Sequence, residues 1–332
     1  MNLNKSIKIF LNYVLGPALF LWVSVSIYHQ LKDQKDLPQA LEQIKHSLSG
    51  GHLWKLVLVI LLMFLNWGIE ARKWQLLVRP LQPISFLRAF YSVLSGVSFA
   101  INTPNRIGEY GGRVLYMKEG NRAKAISLAI LGSASQLIIT LVLGIGGLLY
   151  LKNLNIFSTT TSGNTLSILW FSILLYGALL ATIVTLIFYF RLSGIVKWME
   201  GISGMAKWVS YIRALNKFDT SYLLHILFLS FVRYLVFANQ YLLLMDVFGV
   251  EIYWWQGFWV ISVLFLILSV VPTFALSELG IRGKVFIFLL DSFSKNYVGI
   301  ISCTVGIWIL NLVIPALIGS LLILGIKMFS RR

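Results

Sequence analysis

The sequence predicts an all-α integral membrane protein with six full transmembrane helices. It also predicts two re-entrant helical hairpins, entering from opposite sides and related as an inverted repeat. Three observations lead there. Hydrophobic residues make up 58% of the 332-residue chain and charged residues only 12%, with a mean hydropathy of +0.81. That balance excludes an ordinary soluble domain. Apolar runs of ~20 residues, the length that crosses a bilayer, recur along the chain. Lys and Arg collect in the short segments between them, which sets orientation.

The first apolar run, 9–28, follows Lys5 and Lys8. It is too long for a signal-peptide core and no small-x-small cleavage site follows, so it reads as a retained span. Residues 32–51 suggest a short external amphipathic helix starting near Pro38. Further full spans fall at 53–71, 126–151, 166–190, 222–247 and 298–326.

Loop 72–88 carries Arg72, Lys73, Arg79 and Arg88 without an acid. Loop 191–221 carries Arg191, Lys197, Lys207, Arg213 and Lys217, and the tail carries Lys327, Arg331 and Arg332. These belong in the cytoplasm by the positive-inside rule. The uncharged Thr/Ser-rich loop 153–165 and the segment 248–255, which lacks Lys and Arg, belong outside with 29–52. Both termini are then cytoplasmic, and the expected location is the inner (plasma) membrane. Between the halves, Trp198, Met199, Ile202, Met205, Val209 and Ile212 recur at helical spacing. The stretch 192–215 reads as one amphipathic helix, either on the cytoplasmic surface or packed on the bundle.

Two apolar runs, 88–102 and 256–271, are only 15 and 16 residues long, marginal for a crossing. Sidedness constrains them further. Segment 88–125 must begin and end inside, because the next span ends at the external loop 153–165. Segment 256–297 must begin and end outside, because the last span ends at the basic tail. The chain therefore reads as one membrane domain, 1–332. Its first half, about 1–190, holds hairpin 88–125, and its second half, about 191–332, holds hairpin 256–297.

Each short run leads into a polar segment broken by Pro and Gly: NTPNRIGEYGGR at 102–113 and VPTFALSELGIRG at 271–283. The prolines Pro104 and Pro272 lie 168 residues apart, about half the chain. Paired broken helices in two halves point to a binding site near the membrane midplane. Gly108, Gly111, Gly112, Gly280 and Gly283 join the two prolines as residues expected to shape the hairpins. Arg106, Glu109 and Arg113 share one helical face by i,i+3 and i,i+4 spacing. Pro104 suits a first helical turn, capped by Asn102 or Thr103. A helix start with two guanidiniums suits an anion such as a lipid phosphate. The alternative is an internally neutralised cluster that closes the bundle.

Glu278 and Arg282, also i,i+4, are the corresponding pair in the second motif, with a fixed structural pair as the alternative. Arg233 lies mid-span and needs a partner, either Glu278 or a substrate phosphate. The candidate substrate-binding residues are therefore Arg106, Glu109, Arg113, Arg233, Glu278 and Arg282.

Asn66, Gln136, Asn239, Gln240 and Asn311 read as hydrogen-bonding groups between helices. Gly144, Gly146 and Gly147 read as close-packing residues. Trp54, Trp67, Trp74, Trp254 and Trp255 read as interfacial. One cysteine, Cys303, and four histidines without ligand spacing give no disulfide framework and no metal site. No Walker, GxSxG, HExxH or DxD pattern occurs, so neither enzyme activity nor a cofactor is expected. The net charge of +16 is explained by span-flanking residues and anionic lipid rather than by nucleic acid.

The motif TPNRIGEYGGRVLYMKEG resembles the P-x-R-x-G-E signature of the lysylphosphatidylglycerol synthase transmembrane region family, also described as flippase-like. EARKWQLL at 70–77 resembles its R-W-x-x-L-L segment, and VPTFALSELGIRGKV resembles its later P-G-G-x-G-x-R-E motif. The resemblance covers about residues 10–325. It implies a membrane protein that moves a phospholipid or polyprenyl-phosphate-linked lipid between leaflets. The alternative is a non-catalytic membrane partner of a lipid synthase or glycosyltransferase. The chain ends at Arg332, just after the last span, so the soluble synthase domain of bifunctional members is not expected. This sequence also departs from the family. Gly132-Ser-Ala-Ser-Gln136 carries no charge where Glu-Arg is common, and Thr273-Phe274 replaces Gly-Gly.

Overall fold

The computed structural model describes residues 53–101, 103, 106–154, 165–202, 206–271 and 275–324, with isolated positions between 21 and 51. The expected first span 9–28 and external helix 32–51 therefore lie outside the described stretches, as do Pro104 and Pro272. The described residues are overwhelmingly helical. Five helical stretches are long and apolar enough to cross a membrane: Leu53–Val78, Glu119–Asn153, Phe171–Phe190, Thr220–Val247 and Tyr297–Leu324. They correspond to five of the six expected spans. Phe86–Ala100 and Trp254–Val270 are apolar but shorter.

The organising pair is α1 (Leu53–Val78) against α8 (Thr220–Val247). Along α1 the buried positions Val59, Met63, Asn66, Trp67, Glu70, Lys73, Trp74 and Leu77 recur at helical spacing, so one face carries both apolar and polar groups inward. The two helices run antiparallel. Lys55 Nζ meets Asp246 at 2.6 Å at one end, Gln240 Nε2 donates to the Val59 carbonyl at 3.0 Å, and Tyr222 Oη donates to the Leu76 carbonyl at 2.8 Å at the other. α1 runs seven residues past the expected end of its span. Arg72 and Lys73 are therefore helical, and Lys73 is not the loop charge that the sidedness argument counted.

After α1 the chain turns at Ser85, whose side chain caps α2 (Phe86–Ala100) by accepting from the Arg88 amide. α2 is answered by α3 (Gly108–Val114), antiparallel and in close contact. Ser92 Oγ donates to the Arg113 carbonyl at 2.6 Å. At the tip Gly108 meets Phe99, and between these contacts Gly112 meets Ser95 and Gly96. Beyond α3, the Lys118 amide donates to Gln82 Oε1 at 3.0 Å. The segment 86–117 therefore leaves and regains the same end of α1.

α4 (Arg122–Asn153) follows a short 3-10 turn and packs on α9 (Trp254–Val270). Gly144 lies against Leu266, and Gly146 and Gly147 lie against Trp259, the close approach expected of these glycines. α5 (Thr165–Phe190) is mostly exposed apolar surface leaning on α4.

The connector is not the single amphipathic helix expected. It breaks at Gly201, whose amide bonds back to the Trp198 carbonyl, giving α6 (Leu192–Glu200), α7 (Ala206–Ile212) and a 3-10 turn at Arg213–Lys217. Val196 and Val209 are buried while Trp198 is 70% exposed.

α10 (Ala275–Leu290) returns from α9, and Asn296 Nδ2 then donates to the Phe248 and Gly249 carbonyls at the C-terminal end of α8. The segment 254–296 thus begins and finishes at the end of the bundle opposite to that used by 86–117.

The last helix is α11 (Tyr297–Trp308), a π turn at Ile309–Val313, and α12 (Ile314–Leu324). Pro315 supplies no amide hydrogen to the preceding turn, a cause sufficient for the wider winding there. α12 packs on α2 so tightly that a Cβ at Gly319 would run into the Leu94 carbonyl. Gly319→Ala is expected to cost ~1–3 kcal/mol or more through overpacking. Gly111→Ala, at a position where a Cβ meets nothing within 4 Å, should leave thermal unfolding unchanged or slightly raised. Thermal melts of the two variants in detergent check this pair.

Candidate functional site

Where α1, α4, α8, α9 and the break between α2 and α3 converge, the bundle leaves a cavity of about 450 Å³. Its polar wall is Arg106, Arg233 and Arg282 with Asn66, Gln136 and Thr140. Its apolar wall includes Tyr234, Phe237, Phe265, Leu268 and Val270. The described lining residues include three guanidiniums and no carboxylate, beside an aromatic and aliphatic surface.

Each arginine arrives from a different element. Arg106 stands in the chain break before α3 with φ of +58°, the left-handed region that L residues other than Asn and Asp rarely adopt. Its position is fixed from both sides, since its amide donates to the Thr103 carbonyl and the Thr103 hydroxyl accepts from the Gly108 amide at 2.8 Å. Arg282 sits on α10, 8% exposed, and donates to Tyr241 Oη at 2.8 Å. That tyrosine is wedged edge-on among Phe237, Phe265 and Phe286, which holds its hydroxyl in place. Arg233, midway along α8, donates to Asn66 Oδ1 at 3.1 Å and to Gln136 Oε1 at 3.4 Å. It also lies over the Trp67 ring, 5.5 Å from the centroid.

Behind this wall lies an ion cluster centred on Glu70. Its carboxylate, 2% exposed, meets Lys73 Nζ at 2.9 Å, Arg113 Nη2 at 2.8 Å and Arg233 Nη1 at 3.0 Å. Arg113 pairs with Glu109 as well and lies over the Trp74 ring. Lys73 Nζ also donates to the Gly132 carbonyl and to Ser230 Oγ. Such a buried charge persists only because every partner is in place. Asn66 extends the cluster by donating to Asn311 Oδ1 on the π turn at 3.2 Å.

The structure therefore brings three of the six candidate residues, Arg106, Arg233 and Arg282, to one cavity. Glu109 and Arg113 stand apart from it. Arg113, expected to face a ligand, is 4% exposed and enclosed by two carboxylates. Glu278 lies on α10 with its side chain outside the described atoms. Arg233 pairs with Glu70, a carboxylate partner the sequence reading did not assign to it; the expected Glu278 partner lies outside the described side chains. Of the glycines, Gly108 and Gly112 allow close backbone approach, whereas a Cβ at Gly111, Gly280 or Gly283 would meet nothing. In the first hairpin, the close backbone approach is made at Gly96, Gly108 and Gly112. Trp67 and Trp74 are core residues under Arg233 and Arg113 rather than interfacial ones, while Trp54, Trp254 and Trp255 are exposed. Among the polar groups read as interhelical ties, Asn66, Gln136, Gln240 and Asn311 all bond across helices. Asn239 bonds back to the Leu235 carbonyl of its own helix.

Sequence reasoning missed Glu70 and Lys73 as the centre of the cluster. The signal was available: Asn66, Glu70, Lys73 and Trp74 share one helical stripe, and a carboxylate in an apolar run demands cations. Among the described residues no group of three or more His, Cys, Asp or Glu side chains comes together in metal-binding fashion.

The first motif, the Glu70–Leu77 stretch and the second motif all border this cluster and cavity. A family model described as "Lysylphosphatidylglycerol synthase TM region" matches residues 9–319. The chain belongs to that family. The stretch matched to the lysylphosphatidylglycerol synthase TM region takes in every described helix up to the last turns of α12. A comparison with curated proteins finds no match.

Proposed function

We propose that this protein moves an anionic phospholipid or polyprenyl-phosphate-linked lipid between leaflets, with the headgroup phosphate received in the three-arginine cavity. One observation carries the reading: Arg106, Arg233 and Arg282 from three separate elements converge on one cavity whose opposite wall is aromatic and aliphatic. A phosphate suits the first surface and an acyl or prenyl chain the second. Membership of a lipid-related membrane family supports it.

In this reading, 88–125 and 256–297 are re-entrant hairpins entering from opposite leaflets. Their return to opposite ends of the α1/α8 pair is the supporting geometry. The end bearing 79–88, 114–122 and 191–219 is cytoplasmic and the protein lies in the inner membrane. The role is non-catalytic. Arg106, before α3, and Val271, just past the end of α9, line the cavity, where non-helical backbone is tolerated at membrane depth. Arg113 and Glu109 position the first hairpin and Glu70 aims Arg233.

The rival role, a non-transporting partner of a lipid synthase or glycosyltransferase, draws support from the Glu70 cluster, which ties α1, α3 and α8 into a fixed unit. Scrambling of a fluorescent anionic lipid in proteoliposomes separates the two. Dithionite-accessible signal rising above that of empty liposomes is expected, and rates equal to empty liposomes would leave the partner role.

Arg106→Asn gives a discriminating variant. Asn accepts the left-handed backbone, so thermal stability should stay within ~0.5 kcal/mol of wild type. Lipid scrambling should nevertheless fall about tenfold, the loss expected for one charge-assisted contact of ~1.5 kcal/mol.

A further inference from the structure

A separate pocket lies at the opposite end of α1 from Lys55, away from the cavity. It has a volume of about 150 Å³ and is lined by Arg72, Gln75, Leu76, Arg79, Pro83 and Ile84. Arg72 comes from the last turns of α1 and Arg79 from the turn that follows it, where its amide donates to the Leu76 carbonyl at 3.1 Å, and both residues line the pocket. The nearest carbonyls are already occupied. The Leu76 oxygen accepts from Tyr222 Oη at 2.8 Å, the Ile84 oxygen from Gln75 Nε2 at 3.0 Å and the Pro80 oxygen from Lys217 Nζ at 3.1 Å. Arg72 Nη1 holds the remaining oxygen of Gln75 at 2.6 Å. The pocket thus presents donors and positive charge, with its acceptors satisfied. No carboxylate in the described residues pairs with Arg72 or Arg79. Beside it, the start of α2 exposes Phe86 and Leu87, 46% and 55% accessible, which suits acyl chains rather than water.

We infer that this pocket binds the phosphate of an anionic lipid headgroup, with the acyl chains lying along Phe86 and Leu87. The inference is independent of transport, because a structural lipid would satisfy the same groups.

The test is native mass spectrometry of the full chain titrated with dioleoylphosphatidylglycerol, dioleoylphosphatidylcholine or inorganic phosphate. The variants are Arg72→Gln/Arg79→Gln and, separately, Arg106→Asn. Wild type should retain a phosphatidylglycerol adduct that is ~30-fold weaker in the double variant, because both guanidiniums that face the phosphate are removed. Arg72→Lys/Arg79→Lys should restore part of it. Arg106→Asn should weaken only the adduct held in the cavity and leave intact the one lost in the double Gln variant, so the two sites are read as separate adducts and failure of the cavity reading would not imitate failure here. Equal affinity in wild type and the Gln variant would overturn the inference. So would equal retention of phosphatidylcholine, or displacement of the lipid by millimolar inorganic phosphate. Preference for an acidic peptide over phosphatidylglycerol would overturn it too. Circular dichroism of the Gln variant guards against misfolding.

Discussion

Glu70→Gln is expected to cost ~3–5 kcal/mol of stability, seen as a large drop in the detergent unfolding temperature and in folded yield. The reason is charge count. Lys73, Arg113 and Arg233 all reach the Glu70 carboxylate, which is 2% exposed. Gln keeps the shape but leaves three cations around a neutral amide, with Glu109 as the remaining carboxylate in the cluster. Surface ion pairs would hardly register such a change, since their median worth is ~0–1 kcal/mol. Lys55→Gln, which removes the partly exposed pair with Asp246, should therefore shift the melt little. A Glu70→Gln/Lys73→Met double variant should regain part of the loss, because one uncompensated cation is removed with its partner. Equal melts for Glu70→Gln and wild type would mean that the cluster does not hold the bundle together.

The second large effect is on lipid movement. Arg282→Gln combined with Arg106→Asn should lower the scrambling rate at least ~30-fold while the protein still folds and reconstitutes. Both side chains line the cavity, whereas the described ion pairs of Glu70 are to Lys73, Arg113 and Arg233. Arg233 does both, so Arg233→Gln should lose stability as well as transport. This contrast separates ligand contact from structural support. Thermal melts and initial scrambling rates measured on the same preparations make the comparison.

Much of this architecture was legible beforehand, for physical reasons. Long apolar runs have few ways to satisfy their backbone in lipid, so the positions of the five described spans followed from length and hydropathy. Loop charge and run length together placed the two short segments apart from them. The cluster was harder to see. Glu70 reads from sequence as an intramembrane polar group without an assigned partner, and Lys73 as a loop charge. Only packing against α8 and α3 carries them 2% and 1% exposed into the core. Periodicity also could not tell that Trp67 and Trp74 would lie beneath arginines rather than at a headgroup belt. Sequence left Arg113 open between a ligand contact and an internally neutralised cluster for the same reason. Its i,i+4 partner Glu109 is visible in sequence, but the second carboxylate comes from 43 residues away. The connector 192–215 kept helical spacing on both sides of Gly201, and spacing does not register the break between them.

The central claim is that a headgroup phosphate occupies the cavity between the two broken motifs. The most direct measurement is a cryo-electron-microscopy structure in nanodiscs of anionic lipid. It should place a phosphate within ~4 Å of guanidinium nitrogens from at least two of Arg106, Arg233 and Arg282, with hydrocarbon beside Phe237 and Phe265. A cavity closed by the protein's own carboxylates, with every bound headgroup outside it, would contradict the account.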